Sequence, residues 1–468
     1  MDLESARYAL KQFWGYDQFR PPQEDVVSCL LAGQDALVLL PTGAGKSICF
    51  QLPALLRPGL TLVVSPLVSL MENQVQELRQ RQIKAALLHS QLSPPLRSQT
   101  LNQLQRLDLL YLSPESLLSS TIWPRLCSVQ IGYLILDEAH CISQWGTSFR
   151  PIYRRLGAVR SVLQQGQAPI PVAAFTATAT PNMQQEIQAV LQLQRPRIFR
   201  VSPYRANLSL QVKVAWSSAH RRRQVLKLIL QHQGQSSGLI YTRSRRDSEV
   251  LVEWLCRQQI RAVAYHAGLP SERRRQIEAD WLTAAMPVVV CTSAFGMGIN
   301  KPDCRWICHF HPPLSVAAYV QEIGRAGRDG LRSQTLLLVS EPTGWLDPQD
   351  QRQQRYFTQQ RRLQQQQAQR LVTQLPMQGT LTALQKSVPQ AEMVLSMLHS
   401  TGQLRWIDPF RYVMAADAVP RLQNTDRSTM KSFIHTRHCR WRWILDYFGF
   451  ASATVRCGHC DRCRASAG

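Results

Sequence analysis

The run Pro41-Thr42-Gly43-Ala44-Gly45-Lys46-Ser47 joins two glycines to a lysine and a hydroxyl residue. Such a turn wraps backbone N–H groups around phosphate, brings an ammonium to its β and γ groups and offers a hydroxyl to Mg²⁺. The strict form of this loop has a glycine where Leu40 stands, so its neighbours must support it. Downstream, Leu134-Ile135-Leu136-Asp137-Glu138-Ala139-His140 is an apolar run that ends in two acids. Asp137 is suited to hold Mg²⁺, mostly through water, and Glu138 to orient and deprotonate an attacking water. A loop carboxylate pair without a task is the alternative, and the ordered occurrence of both motifs argues against it. Further on, Gln321-Glu322-Ile323-Gly324-Arg325-Ala326-Gly327-Arg328-Asp329-Gly330 sets two arginines at a helix end. Alone they read as a surface cluster; beside the other motifs they read as the positive charge that a γ-phosphate needs in its transition state. The three motifs imply a nucleoside triphosphatase.

A second chemistry lies near the carboxy terminus. Cys439 and Cys457-Gly458-His459-Cys460-Asp461-Arg462-Cys463 supply four thiols, three of them at CxxCxxC spacing. Four thiolates close a tetrahedron around Zn²⁺ and leave no open position, so the expected site is structural. An iron–sulfur cluster would use the same ligands. His459, between two of the cysteines, reads as a bystander rather than a competing ligand. Cys141 and Cys291 read as buried neutral thiols.

The elements that must position these groups follow from hydrophobic patterning. Short apolar runs at 36–40, 60–65, 109–113, 134–136 and 172–176 alternate with helical stretches, the pattern of a parallel sheet. A boundary is expected near Asn207. A second set, at 238–242, 262–265, 288–292, 306–310 and 335–339, repeats the theme without its own phosphate loop, which suggests one composite site. Beyond Glu341 the composition shifts to Gln and Arg, and this stretch reads as a solvated helix or linker. The run 391–400 has a helical period, and two strand-like runs at 404–407 and 410–414 flank Asp408-Pro409, so a helix and hairpin there fit a small winged helix. The expected domains are 1–207, 208–343, 344–425 and 426–468.

Among 468 residues, 54 Lys+Arg oppose 31 Asp+Glu, giving a net charge of +23. Arginine dominates the excess, and its planar fork suits phosphate, so a nucleic-acid partner is expected ahead of a membrane. No apolar run approaches the roughly 20 residues of a membrane span, and the amino terminus does not read as a secretory signal. The chain is therefore expected to be a soluble intracellular protein, cytoplasmic and nucleoid-associated if bacterial, with reduced cysteines.

Taken together, these residues resemble the RecQ family of DNA helicases within helicase superfamily 2, over nearly the whole chain. The most specific likeness is Ala139-His140-Cys141-Ile142-Ser143-Gln144-Trp145-Gly146-Thr147-Ser148-Phe149-Arg150-Pro151, which is similar to the family's aromatic-rich loop. There Trp145 and Phe149 offer faces for base stacking, with Gln144 and Arg150 beside them. Thr147-Ser148 stands where the family usually has His-Asp. Phe13-Trp14-Gly15-Tyr16-Asp17-Gln18-Phe19-Arg20-Pro21-Pro22-Gln23 resembles the family's adenine-recognition segment, which implies roles for Tyr16, Arg20 and Gln23 toward ATP. The stretches 64–70, 112–115, 175–180 and 295–302 follow the family's motif order.

The resemblance implies an α/β fold of two tandem RecA-like parallel-sheet domains, then a mainly helical linker or winged-helix-like segment and a small four-cysteine zinc module. It implies ATP, Mg²⁺ and Zn²⁺ as cofactors. Thr42, Gly43, Ala44, Gly45, Lys46 and Ser47 would hold the nucleotide, Ser47 and Asp137 the magnesium. Lys46, Asp137, Glu138, His140, Gln321, Arg325 and Arg328 would carry the chemistry. The implied activity is a 3′-to-5′ DNA helicase of recombination and repair, acting as a monomer on single-stranded, branched or tailed duplex DNA, with a single-strand-binding protein as a candidate partner. Rival readings are a DNA-stimulated translocase without robust unwinding, a non-enzymatic nucleic-acid scaffold and an RNA helicase. Many family members continue into a full winged-helix domain; here the sequence ends at Gly468, so the expected wedge is either a substitute wing within 371–414 or the motor and zinc module alone.

Overall fold

The computed structural model describes residues 3–143, 150–166, 168–232, 237–296, 299, 301–421 and 427–465. The chain divides into two compact units, Met1–Val201 with Gln360–Asn424 and Ser202–Gln359 with Thr425–Gly468. In the first, strands β1 (Ala36–Leu39), β2 (Leu60–Val64), β3 (Ala85–Leu88), β4 (Leu109–Leu112), β5 (Ile131–Leu136), β6 (Val172–Thr176) and β7 (Arg197–Arg200) form one sheet in the order β3-β4-β2-β5-β6-β1-β7. Every neighbouring pair is parallel. Successive strand residues point to opposite faces, so Leu37, Leu39, Leu134 and Leu136 enter one core while Val38, Tyr133 and Ile135 enter the other. Burial on both faces is why these strands read as continuous apolar runs.

The second unit carries β8 (Leu208–Ala215), β9 (Ser237–Tyr241), β10 (Ala262–Tyr265), β11 (Val288–Cys291), β12 (Cys304–His309) and β13 (Ser333–Ser340), in the order β10-β11-β9-β12-β13-β8. All its pairings are parallel as well. Helix starts are fixed by side-chain caps: Ser217 accepts from His220 N at 3.1 Å, Ser244 from Asp247 N at 3.0 Å and Ser315 from Ala318 N at 3.1 Å. The cysteine module docks at the start of β8. Trp441, 1% exposed, donates its indole N–H to Leu208 O at 3.2 Å and meets the Tyr204 ring edge-on at 5.3 Å. Two parallel sheets, each covered by helices, are the architecture expected of tandem RecA-like domains.

A third sheet belongs to the first unit. Strands β14 (Gln378–Thr380), β15 (Leu404–Trp406) and β16 (Arg411–Met414) pair antiparallel in the order β14-β16-β15, with helices Leu381–Ser387 and Ala391–Ser400 between β14 and β15. This is a small winged helix. Its second helix, the one such folds commonly turn to DNA, instead packs on the 3-10 segment Pro151–Ala158. Arg155 secures the contact: its Nη1 lies 2.9 Å from Glu392 Oε1, its Nε donates to Pro409 O at 2.7 Å, and its guanidinium sits over the rings of Trp406 and Phe410. Among the described residues, no helix is long and apolar enough to cross a membrane.

Candidate active site and metal centre

The phosphate loop leaves the end of β1 and runs into the helix Ile48–Leu56. Gly43 and Gly45 have φ of +87° and +75°, which side chains with a Cβ rarely adopt. At Gly45 a Cβ would also lie 2.4 Å from Gln23 Nε2. Gln23, 3% exposed, donates to the carbonyls of Ala44 and Gly45 at 3.2 Å each, while its Oε1 accepts from Arg20 N at 2.9 Å. The amide thus braces the loop from behind. Tyr16 and Arg20 are exposed nearby in sequence, with Tyr16 48% accessible.

Strand β5 delivers the acids beside this loop. Lys46 Nζ lies 3.9 Å from Glu138 Oε1, and His140 Nδ1 lies 3.1 Å from Glu138 Oε2 and 3.1 Å from Thr176 Oγ1. Glu138 adopts φ +49°, a left-handed conformation that costs a non-glycine residue about 1 kcal/mol. Burial, then the neighbouring Glu138 carboxylate, pushes Asp137 up to about 6, with Lys46 pulling the other way. Two adjacent acids beside the loop are a fit for a divalent cation, and the hard oxygens of Asp137 and Ser47 are the right donors for Mg²⁺. Tyr153, fully buried, donates to Asp137 O at 3.3 Å and steadies the strand end. No motif in the sequence singled out Tyr153.

In the second unit the helix Val316–Ile323 carries Gln321 half-buried and leads to the two arginines. Arg325, 5% exposed, donates to Gly296 O; Arg328 donates to Ile299 O at 2.9 Å. Gly296 has φ +105°, and a Cβ there would meet Arg325 at 2.7 Å, so the glycine is required for the guanidinium to settle. Burial, then the charge of Arg325, lowers Arg328 to about 10. Gln144, Trp145 and Phe149 lie outside the described residues. Arg150 Nη1 sits 3.1 Å from Glu115 Oε1 at the surface.

Cys439, Cys457, Cys460 and Cys463 converge with all four Sγ atoms within 4.8 Å of one another, and Cys457 and Cys463 Sγ are 3.8 Å apart. About 3.8 Å is the edge of a tetrahedron with metal–sulfur bonds near 2.3 Å. Backbone N–H groups of Cys457, Cys460 and Cys463 point at the sulfurs of Cys439, Cys457 and Cys460, which favours thiolates. His459 faces the carbonyls of Cys457 and Leu208 at 2.6 and 3.0 Å, so it stands outside the cluster, as its bystander reading anticipates.

Comparison with known proteins agrees with this geometry. Residues 20–187 match the DEAD/DEAH box helicase family, 220–330 the helicase conserved C-terminal domain and 406–464 the RecQ zinc-binding family. The chain is 50% identical to the ATP-dependent DNA helicase RecQ of Synechocystis sp., over 99% of this chain and 98% of that protein. It is 42% identical to a probable ATP-dependent DNA helicase RecS of Bacillus subtilis, over 72% of this chain and 67% of that one. Among solved structures, Mss116p bound to ssRNA and AMP-PNP superposes with a TM-score of 0.60 at 16% identity, over 74% of each chain, a likeness of fold alone. With its two helicase domains, its four-cysteine module and half of its residues shared end to end with a RecQ protein, the chain belongs to the RecQ family of ATP-dependent DNA helicases.

Proposed function

We propose that this protein hydrolyses ATP to move 3′-to-5′ along single-stranded DNA and to unwind tailed or branched duplexes, working as a monomer in recombination and repair. The observation that carries the reading is the convergence of Lys46, Glu138 and His140 where the phosphate loop meets the end of β5. Lys46 holds the β- and γ-phosphates, and the backbone of Thr42 to Gly45 cradles them. Ser47 and Asp137 would hold Mg²⁺, which would neutralise charge on the phosphates. Glu138 accepts the proton of the attacking water, and His140 keeps that carboxylate oriented through its second oxygen. Arg325 and Arg328 stabilise the charge that grows in the transition state. Gln321 completes that motif.

Gln23, with Arg20 and Tyr16, recognises adenine by exchanging its amide contacts from the loop carbonyls to the base. That exchange couples nucleotide identity to the shape of the phosphate loop. Zn²⁺ on the four cysteines is structural and fixes the module that docks Trp441 at β8. A single-strand-binding protein is a fitting partner, since it shares the same substrate.

The test is ATP turnover with and without an oligodeoxythymidine, with Lys46→Ala as control. Turnover that rises with the oligonucleotide and vanishes in the variant supports the motor. No stimulation by DNA, or full activity without Lys46, refutes it.

A further inference from the structure

The loop that follows β13 exposes an indole on a stiff support. Trp345 is 90% exposed and Leu346 64%, yet the turn that carries them is tied at several points. Glu341, itself 3% exposed, accepts from Thr343 N at 2.7 Å, Thr343 Oγ1 at 2.5 Å and Leu346 N at 3.0 Å. Thr343 Oγ1 in turn accepts from Trp345 N at 3.3 Å, and Gln351 donates to Thr343 O at 2.8 Å. Two residues beyond the indole, the fully buried Asp347 pairs with the fully buried Arg221 at 2.5 Å. An apolar side chain left in water on so well fixed a backbone is not a frayed loop.

Its surroundings indicate the ligand. Ala215 is the partner of Ser340 in the parallel register of β8 and β13, so Trp216, 54% exposed, leaves the same carboxyl edge of the sheet as this turn. In parallel α/β sheets that edge is where ligands bind. The helix Gln349–Val372 starts immediately after the turn and brings Arg352 and Arg355, both exposed, on its first turns. Among the described residues neither guanidinium has an ion-pair partner. The acids nearby in sequence are already engaged: Asp347 by Arg221, Asp350 by Arg221 and Arg243 at 2.9 Å each, and Glu341 by its turn.

We infer that Trp345 and Trp216, with Arg352 and Arg355, form a second platform for single-stranded DNA on this unit, where bases stack on the indoles and phosphates meet the arginines. Exposed aromatic faces and uncommitted arginines gathered at one edge of a sheet are what sequence-tolerant single-strand binding requires. This inference rests on the proposed DNA motor and adds a contact outside the helicase motifs.

Binding of a fluorescently labelled dT20 to the full-length protein, measured by anisotropy across a salt series, tests it. Trp345→Ala is expected to weaken binding about tenfold, and Trp345→Phe, which keeps a π-face, to recover most of that loss. The double variant Arg352→Gln, Arg355→Gln is expected to reduce the slope of log K against log salt by about 1.4. Wild-type affinity in Trp345→Ala, or equal losses in the Ala and Phe variants, overturns the platform. Absence of dT20-stimulated ATP turnover in the wild-type protein counts against the motor reading instead, and so separates the two failures.

Discussion

Lys46 Nζ lies 3.9 Å from Glu138 Oε1, which places the ammonium of the glycine-rich loop and the carboxylate at the end of β5 within one ion-pair distance. On the other side, His140 Nδ1 lies 3.1 Å from the second carboxylate oxygen of Glu138. Under the proposed mechanism, arriving phosphates take over Lys46 and release Glu138 to a water.

Glu138→Gln keeps the shape and removes the proton acceptor. ATP turnover is expected to fall at least about 100-fold while nucleotide affinity stays within a few-fold of wild type, as checked by single-turnover hydrolysis and nucleotide titration. Equal losses in both would place Glu138 in binding rather than chemistry.

A buried cation ties the winged helix to the segment Pro151–Ala158. Arg155→Ala removes the partner of Glu392 and the lid over Trp406 and Phe410, and is expected to cost about 3 kcal/mol, read as a lower Tm and faster proteolysis within 373–421. A Tm unchanged by the substitution would show that the docking needs no Arg155.

Acid should loosen the same segment. Burial, then the charge of Arg154, lowers His399 to about 4 from an ordinary value of 6.5. Unfolded chains then bind a proton that the folded chain refuses, so this contribution is intact above pH 6.5 and is lost as pH falls from 6.5 toward 4, by at most roughly 3 kcal/mol. His399→Gln should flatten the dependence of Tm on pH across that window; an unaltered dependence would assign it to other groups.

The cysteine cluster should bind one zinc per chain. Cys460→Ser is expected to lose it, as metal analysis of the purified protein would report, along with the docking of Trp441 on β8. Iron absorbance would overturn the assignment.

Much of this was legible in the residue order because chemistry at the motifs is local. The phosphate loop, the acids at the end of β5, the two arginines and the CxxCxxC cysteines each occupy a contiguous stretch. Strands buried on both faces, such as β2 and β6, announced themselves as apolar runs. Other strands did not. β3 is alanine-rich, β7 is an edge strand with arginine at both ends, and β8 is an edge strand buried only at Leu208, Leu210 and Ala215, so none has the pattern of a fully covered strand. β14 has three residues and forms only because β16 is there to pair with it. Tertiary assignments were equally hidden: nothing local marks Arg155 as the winged helix's anchor, or Gln23 as a brace of the phosphate loop. The exposure of Trp345 shows only once Glu341 and Arg221 are seen to fix its turn.

The central claim is directional unwinding driven by this ATP site, and strand displacement measures it most directly. On duplexes with a 3′ tail, a 5′ tail or no tail, with ATP turnover followed in the same reactions, the account expects displacement of the 3′-tailed substrate that requires ATP and Lys46. Displacement confined to the 5′-tailed substrate, or DNA-stimulated turnover with no displacement at all, would contradict it.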